Sequence, residues 1–158
     1  MLLLSFYIGI ERYTLPAKDV VEILPLTKIK RIPHAPEFIL GILDYRGAPV
    51  PIIDLCQLIE QRNCNKVLSS RIILLHYIDA FHQPHILGVT AEKVTETINI
   101  NKDNFHSSGI SLNEAPYLGA VTNENDNVIQ FIETNKLLPQ EVQSMLFQSE
   151  NSDSQTGS

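Results

Sequence analysis

Short runs of apolar residues, separated by polar turn segments, recur along the chain. The pattern begins with Leu2, Leu4, Phe6 and Ile8, which occupy every second position. Residues i and i+2 of an extended chain share one face, so this period predicts strands that turn one face toward a core. The segment 18–24 fits a helical turn and a strand equally badly by period, and its β-branched residues favour a strand from Val21. Strands are predicted at 2–10, 13–16, 18–24, 42–45, 50–55, 71–79, 86–91, 94–100, 118–121 and 128–132.

Three short helices interrupt the predicted strands. Pro36 can open a single turn over 37–40 that Gly41 ends. Asp54 has the side chain of an N-cap for an amphipathic helix that ends near residue 63. Pro139 opens a last helix, whose predicted buried residues are Val142, Met145 and Leu146. Many short strands without recurring strand-helix-strand units favour closed or partly closed barrels, so the fold class predicted is mainly β.

The length of 158 residues suits one domain, which is predicted to span 1–148. Residues 149–158 contain no apolar side chain and are predicted to form a disordered tail. The formal net charge of −6 argues against nucleic-acid binding, which requires clustered Lys and Arg. No apolar stretch approaches the roughly 20 residues of a membrane span, so no insertion into a membrane is expected.

Candidate chemistry is sparse. No nucleophile elbow, glycine-rich phosphate loop or pair of suggestively spaced carboxylates occurs, so no catalytic residue, no cofactor and no enzymatic activity are predicted. His82 and His85 are three residues apart and leave a His-based metal site as the weakest alternative, since no further ligand stands beside them. Cys56 and Cys64 are the only cysteines, and no secretory signal precedes them. We therefore expect two free thiols in a reduced, cytoplasmic protein.

The segment GILDYRGAPVPIIDL, at 41–55, places charged residues between two apolar runs. Gly47 permits a sharp corner that would present Arg46 to solvent. Pro49 and Pro51 lack backbone N–H groups and lie two residues apart, so both gaps would face the same neighbouring strand. This arrangement predicts a hairpin that limits strand pairing on one side and leaves its side chains free for recognition.

The chain resembles the CheW-like domain of bacterial chemotaxis coupling proteins from about Leu3 to Leu146. The resemblance is carried by these segments in order: FYIGIERYTLP, VVEILPL, IPHAPEFILGILDYRGAPVPIIDL, RIILLHY and ILGVTAEKVTETI. Within this family, LSSRIILL, the Tyr of DYRG, APYLG and LLPQEVQSMLF look most like the WspB branch, whose members couple receptors to a kinase in surface-sensing pathways.

The resemblance implies two small five-stranded, SH3-like barrels on a shared apolar core. It also implies a scaffold without catalysis of its own, which joins the cytoplasmic tip of a methyl-accepting chemoreceptor to a CheA-type histidine kinase. Such an adaptor would be recruited to receptor complexes at the inner membrane. Its kinase-binding residues are not assigned. The receptor-binding positions that the resemblance implies, with their neighbours in the hairpin, are Val20, Glu22, Gly41, Asp44, Tyr45, Arg46 and Gly47.

Two positions depart from the family pattern. Asp44 stands where the family commonly carries Asn, and Tyr45 where it often carries Leu. If the strand stayed extended through Arg46, Asp44 would share its face and could pair with the arginine. An interaction module that serves some other signalling complex is the main alternative to the receptor-kinase adaptor.

Overall fold

The structure, a computed structural model, describes residues 1–147. The predicted tail at 149–158, and residue 148 of the predicted domain, lie outside the described residues. Three 3-10 turns occur at Ala17–Asp19, Lys102–Asn104 and Thr134–Lys136. The strands and helices, in chain order, are β1 Leu2–Ile8, β2 Glu11–Pro16, β3 Val20–Pro25, β4 Ile39–Tyr45, β5 Ala48–Asp54, α1 Leu55–Glu60, β6 Arg71–Ile78, β7 Pro84–Ala91, β8 Lys93–Asn99, β9 Leu118–Glu124, β10 Asn127–Ile132 and α2 Gln140–Leu146.

The strands form two five-stranded sheets, which confirms the predicted mainly β class. Sheet A has the order β8-β1-β2-β10-β9, and sheet B has the order β3-β6-β7-β5-β4. The chain leaves sheet A after β2, builds all of sheet B, and returns to sheet A with β8. Neighbouring strands are antiparallel except for β2 with β10 and β5 with β7, which are parallel.

A single large apolar cluster joins the two sheets. Leu4, Phe6 and Ile8 enter it from sheet A, and Ile73 and Leu75 enter it from sheet B. The alternate residues of each sheet pack into a smaller cluster of its own. Both faces are therefore covered over 3–6 of β1 and 72–75 of β6. Burying each large aliphatic side chain contributes about 1.5 to 3 kcal/mol. This shared core agrees with the architecture that the family resemblance implies.

Strand β5 lies between β4 and β7, and its two prolines lie where it has only one paired neighbour. Pro49 is opposite Asp44 of β4, and Pro51 is opposite Ile42. The parallel pairing with β7 begins at Ile52, immediately after Pro51. The prolines thus coincide with the half of β5 that β7 does not pair, as the missing N–H groups predict.

Several local predictions need correction. Residues 39 and 40 belong to β4, so the predicted helical turn at 37–40 is wrong; Ile39 donates instead to the Pro36 carbonyl in a tight turn. Asp54 does cap α1, but the helix ends at Glu60, because Gln61 adopts a left-handed backbone conformation. In α2, Val142 is buried while Met145 remains 45% exposed.

The cysteines also differ from the prediction. Cys56 and Cys64 form a disulfide, so the expected free thiols are absent from the structure. The left-handed conformation of Gln61 turns the chain back over α1 and brings the two sulfur atoms together. Spacing and residue type gave no sign of this local turn, because Gln rarely adopts a positive φ.

Candidate functional site

Three of the residues predicted to bind a partner contact one another across the two edge strands of sheet B. Glu22 lies on β3 at one edge of the sheet, and Tyr45 lies on β4 at the other. The Tyr45 hydroxyl donates to Glu22 Oε2 at 2.5 Å. Arg46 Nη2 lies 3.8 Å from the same oxygen. We call Glu22, Tyr45 and Arg46 the seam cluster, since their contacts join the two open edges of the sheet.

A tight turn presents the arginine of the seam cluster. Tyr45 pairs with Ala48, so Arg46 and Gly47 are the two central residues of the β4-β5 hairpin. Both have positive φ angles, 53° and 82° respectively. Such angles match the right-handed twist of a hairpin, and the second one favours glycine. The predicted exposure is confirmed, because the Arg46 side chain is 75% accessible.

Tyr45 interacts with both charged residues of the seam cluster. The Arg46 guanidinium lies 5.1 Å from the centre of the Tyr45 ring, within range of a cation-π contact. The hydrogen bond to Glu22 raises the pKa of the Tyr45 hydroxyl above its ordinary value, because ionised tyrosine could no longer donate to the carboxylate. The cluster therefore presents a cation, an aromatic face and a carboxylate on one exposed surface.

Asp44 has a different role from the one predicted. Its Oδ1 accepts a hydrogen bond from the Gly47 backbone N–H at 2.9 Å. Arg46 pairs with Glu22 instead. The prediction assumed an extended chain through Arg46, whereas the left-handed backbone there turns the arginine away from the face of Asp44. Asp44 stabilises the turn and does not form an ion pair with Arg46.

Val20 and Gly41 belong to the framework around the seam cluster. Val20 opens β3 and packs against the shared core, with a β-bulge between it and Glu22. Gly41 is buried where residue Lys30 crosses β4, and the Lys30 carbonyl occupies the space that a Cβ would need. Lys30 and Ile42 exchange two backbone hydrogen bonds at this crossing, of 2.9 and 2.7 Å.

A second charged group, which the sequence reading missed, lies between the two sheets. Glu92 Oε1 accepts from Arg62 at 2.7 Å and from the Gly9 N–H, in the β1-β2 turn, at 2.7 Å. Its Oε2 accepts from Arg62 at 2.9 Å and from the Asn65 N–H at 2.6 Å. We call Gly9, Arg62, Asn65 and Glu92 the buried tie. Its sequence signal is an acidic residue directly after the buried end of a strand, Val89 to Ala91.

Hydrogen bonds from Arg62 are the main reason that the pKa of Glu92 falls to about 2. The Asn65 and Gly9 amides act in the same direction and outweigh the opposing effect of burial. The Glu92 side chain is only 6% exposed. All of its acceptor capacity is directed at the protein, so the buried tie has a structural role.

The histidines do not assemble a metal site in residues 1–147. His85 Nε2 lies 2.7 Å from Asp79 Oδ2, and its ring stacks on Phe147 at 4.0 Å between centroids. His82 is exposed in the β6-β7 turn. Within these residues, the one group of three potential ligands is Asp54, Cys56 and Cys64, and the disulfide engages both sulfur atoms. No helix in this part of the chain combines the length and apolar composition required to cross a membrane.

Comparison with known proteins decides the family. Residues 2–142 match the family model of the CheW-like domain. The chain belongs to the CheW-like family. This CheW-like chain is 24% identical over 136 residues to the chemotaxis protein CheW of Helicobacter pylori, which covers 85% of this chain and 79% of the relative. It is 30% identical over 109 residues to a probable chemotaxis protein CheW of Rhizobium etli, covering 64% and 69%.

The fold of this CheW-like chain is also similar to that of a solved scaffold. The crystal structure of the scaffolding protein TtCheW from Thermoanaerobacter tengcongensis superposes with a TM-score of 0.74. The two sequences are 27% identical, and the match covers 87% of each chain. The seam cluster and the buried tie both lie within the residues that match the CheW-like family.

Proposed function

We propose that this CheW-like protein is a non-enzymatic cytoplasmic adaptor that couples methyl-accepting chemoreceptors to a CheA-type histidine kinase. The family match over residues 2–142 is the observation that carries the proposal. Two relatives named as chemotaxis proteins and a similar structure named as a scaffold support it. The adaptor would be recruited to receptor complexes at the inner membrane. The branch of the family that serves surface sensing, the WspB branch, is the finer assignment that we favour.

The receptor contact is proposed at the seam cluster. Arg46 is mostly exposed, and its distance of 3.8 Å from Glu22 makes a weak ion pair that a partner carboxylate could replace. A guanidinium can bind a carboxylate through two parallel hydrogen bonds, which adds geometric specificity. The aromatic face of Tyr45 beside it adds apolar contact area. A receptor segment with an acidic residue next to an apolar one fits this surface.

The other proposed receptor-binding residues support the seam cluster from below or beside it. Asp44 and Gly47 hold the turn that presents Arg46. Gly41 leaves the space in which Lys30 crosses β4. Val20, the first residue of β3, packs against the core and so anchors the start of that strand. Their contribution to binding is therefore through the position of the seam cluster.

An adaptor of this kind acts through binding alone. It can shift the kinase between active and inactive states only as far as its contacts differ between the two states. Membership of the CheW-like family and the similarity to a scaffolding protein support a role that involves no catalysis.

Reconstitution from purified components tests the proposed function. The full chain is mixed with a receptor cytoplasmic fragment and the CheA-type kinase from the same organism, and the complexes are separated by size-exclusion chromatography. We expect one ternary complex that contains all three proteins. If the chain binds neither the receptor fragment nor the kinase, the adaptor role is contradicted. That result would favour a module of another signalling complex.

A further inference from the structure

The disulfide between Cys56 and Cys64 closes a short loop at the end of α1. Cys56 lies in the first turn of α1 and is fully buried. Cys64 follows the left-handed Gln61 and is partly exposed. The Cα atoms of the two cysteines are 5.0 Å apart. Cys64 is therefore the more exposed of the two cysteines, and its sulfur is the one that we expect a reagent in solution to reach first.

Asp54 accepts a hydrogen bond from the backbone of each cysteine, in addition to the restraint that the disulfide supplies. Its Oδ1 accepts from the Cys56 N–H at 2.8 Å, and its Oδ2 accepts from the Cys64 N–H at 3.1 Å. The carboxylate is only 2% exposed, so water competes little for these bonds. The sulfur atoms are consequently expected to stay adjacent when the bond between them is broken, and the bond can re-form without refolding.

The loop that contains Cys64 is also the loop that grips Glu92. Arg62 and Asn65, on either side of Cys64, donate three of the four hydrogen bonds that the Glu92 carboxylate accepts. The fourth comes from Gly9, in the β1-β2 turn of sheet A. The disulfide thus tethers the segment through which sheet B holds the first hairpin of sheet A.

We propose that Cys56 and Cys64 form a reversible redox site, at which a thiol reductant opens the disulfide and loosens the buried tie between the sheets. The inference stands apart from the receptor contact, since it uses neither Glu22 nor Arg46. It assigns a function to two cysteines that the adaptor role leaves unused.

The exchange balances with two thiols as the reductant. A thiolate from the reductant attacks the Sγ of Cys64, the more exposed cysteine, and Cys56 leaves as a thiolate that takes up a proton. A second reductant thiolate attacks the mixed disulfide, releases Cys64, which is protonated in turn, and leaves the reductant as a disulfide. Two electrons and two protons enter the protein. A low-molecular-weight disulfide reverses both steps.

The test compares oxidised and reduced forms of the full chain. Alkylation followed by mass spectrometry counts free thiols before reduction, after dithiothreitol, and after return to a glutathione disulfide buffer. We expect no free thiols before reduction, two after dithiothreitol, and none after return to the glutathione disulfide buffer. Hydrogen exchange is then measured for peptides that contain Gly9 or Asn65. Reduction should speed exchange at both by about tenfold, since a covalent restraint on local opening is lost.

Variants separate the bond from the tie. The double variant Cys56→Ala, Cys64→Ala should exchange like the reduced protein in either buffer. In Glu92→Gln, reduction should still speed exchange near Asn65 but change it little near Gly9. Two free thiols in the protein after air oxidation, or exchange rates at Gly9 that are the same in both redox forms of the wild type, would overturn the proposal.

Discussion

Two of the arginine-glutamate pairs in the molecule have contrasting surroundings. In the buried tie, Arg62 lies 2.7 Å from Glu92, and the carboxylate is 6% exposed. In the seam cluster, Arg46 lies 3.8 Å from Glu22, and the arginine is 75% exposed. The Glu92 carboxylate accepts four hydrogen bonds, from the β1-β2 turn and from the loop after α1. One carboxylate oxygen of Glu22 contacts both Tyr45 and the arginine.

The difference indicates what each pair contributes. A buried charge that loses its partner costs several kcal/mol, whereas an exposed pair contributes about 0 to 1 kcal/mol. The buried tie is therefore committed to stability. The seam cluster can exchange its internal contacts for those of a partner at little cost, which is the property that a docking surface needs.

Removing the carboxylate of the buried tie should have the largest effect on stability. Glu92→Ala leaves the Gly9 and Asn65 amides without their acceptor and Arg62 with Glu60 alone. We expect the free energy of unfolding to fall by about 3 kcal/mol, measured by urea denaturation. Glu60→Ala is the matched control. It removes the other, more exposed carboxylate from Arg62 and should cost about 1 kcal/mol or less.

If the two variants lose similar amounts, the buried tie is no stronger than a surface pair. The contrast with the seam cluster would then fail.

The contribution of Glu92 to the free energy of unfolding should disappear at low pH. Its pKa of about 2 in the folded protein lies below the ordinary value of 4.5. The folded state therefore binds fewer protons than the unfolded state in this range, and the stabilisation is complete above pH 4.5 and lost as the pH falls toward 2. The difference in unfolding free energy between the wild type and Glu92→Ala should shrink across this window. A difference independent of pH would show that Glu92 stabilises by packing and not as a carboxylate.

The seam cluster should respond in its titration more than in its stability. Glu22→Gln removes the charged acceptor that raises the pKa of Tyr45, so that pKa should return toward its ordinary value. NMR of ring-labelled tyrosine follows the change, with Tyr45→Phe to identify the signal. The melting temperature should change little. An unaltered titration would mean that the hydrogen bond between Tyr45 and Glu22 does not persist in solution.

Asp44→Asn should have the smallest effect. The amide oxygen of Asn can accept the Gly47 N–H as the carboxylate does, so the turn and the receptor affinity should both be retained. Asp44→Ala, which offers no acceptor, is the comparison variant and should loosen the turn. A large gain in affinity for Asp44→Asn would restore a direct electrostatic influence of Asp44 on Arg46.

The parts that the sequence predicted correctly depend on neighbours in the chain. Alternation at period two identified β1, and β-branched residues identified β3. The side chain of Asp54 identified the start of α1. Arg46 before a glycine identified the corner of the hairpin. Each of these features follows from residues within a few positions of one another.

The parts that it missed depend on contacts between distant segments or on unusual backbone angles. The partner of Arg46 is Glu22, which meets it only because sheet B brings its two edges together. The disulfide depends on the left-handed conformation of Gln61. Glu92 and Gly9 meet only when the two sheets pack, so the local signal, an acidic residue directly after a buried strand end, does not reveal the partners of Glu92.

Receptor affinity of Arg46→Glu tests the central claim most directly. It is measured by titrating a receptor cytoplasmic fragment into the variant, with Lys136→Glu as the matched control. Lys136 is another exposed cation beside a glutamate, and its Nζ lies 3.2 Å from Glu133. It lies in the 3-10 turn after β10 of sheet A, whereas the seam cluster lies on sheet B. We expect Arg46→Glu to weaken binding at least about tenfold, or 1.4 kcal/mol, with nearly unchanged melting temperature. Lys136→Glu should bind like the wild type. Equal affinity for the wild type and both variants would contradict the claim that the seam cluster is the receptor contact.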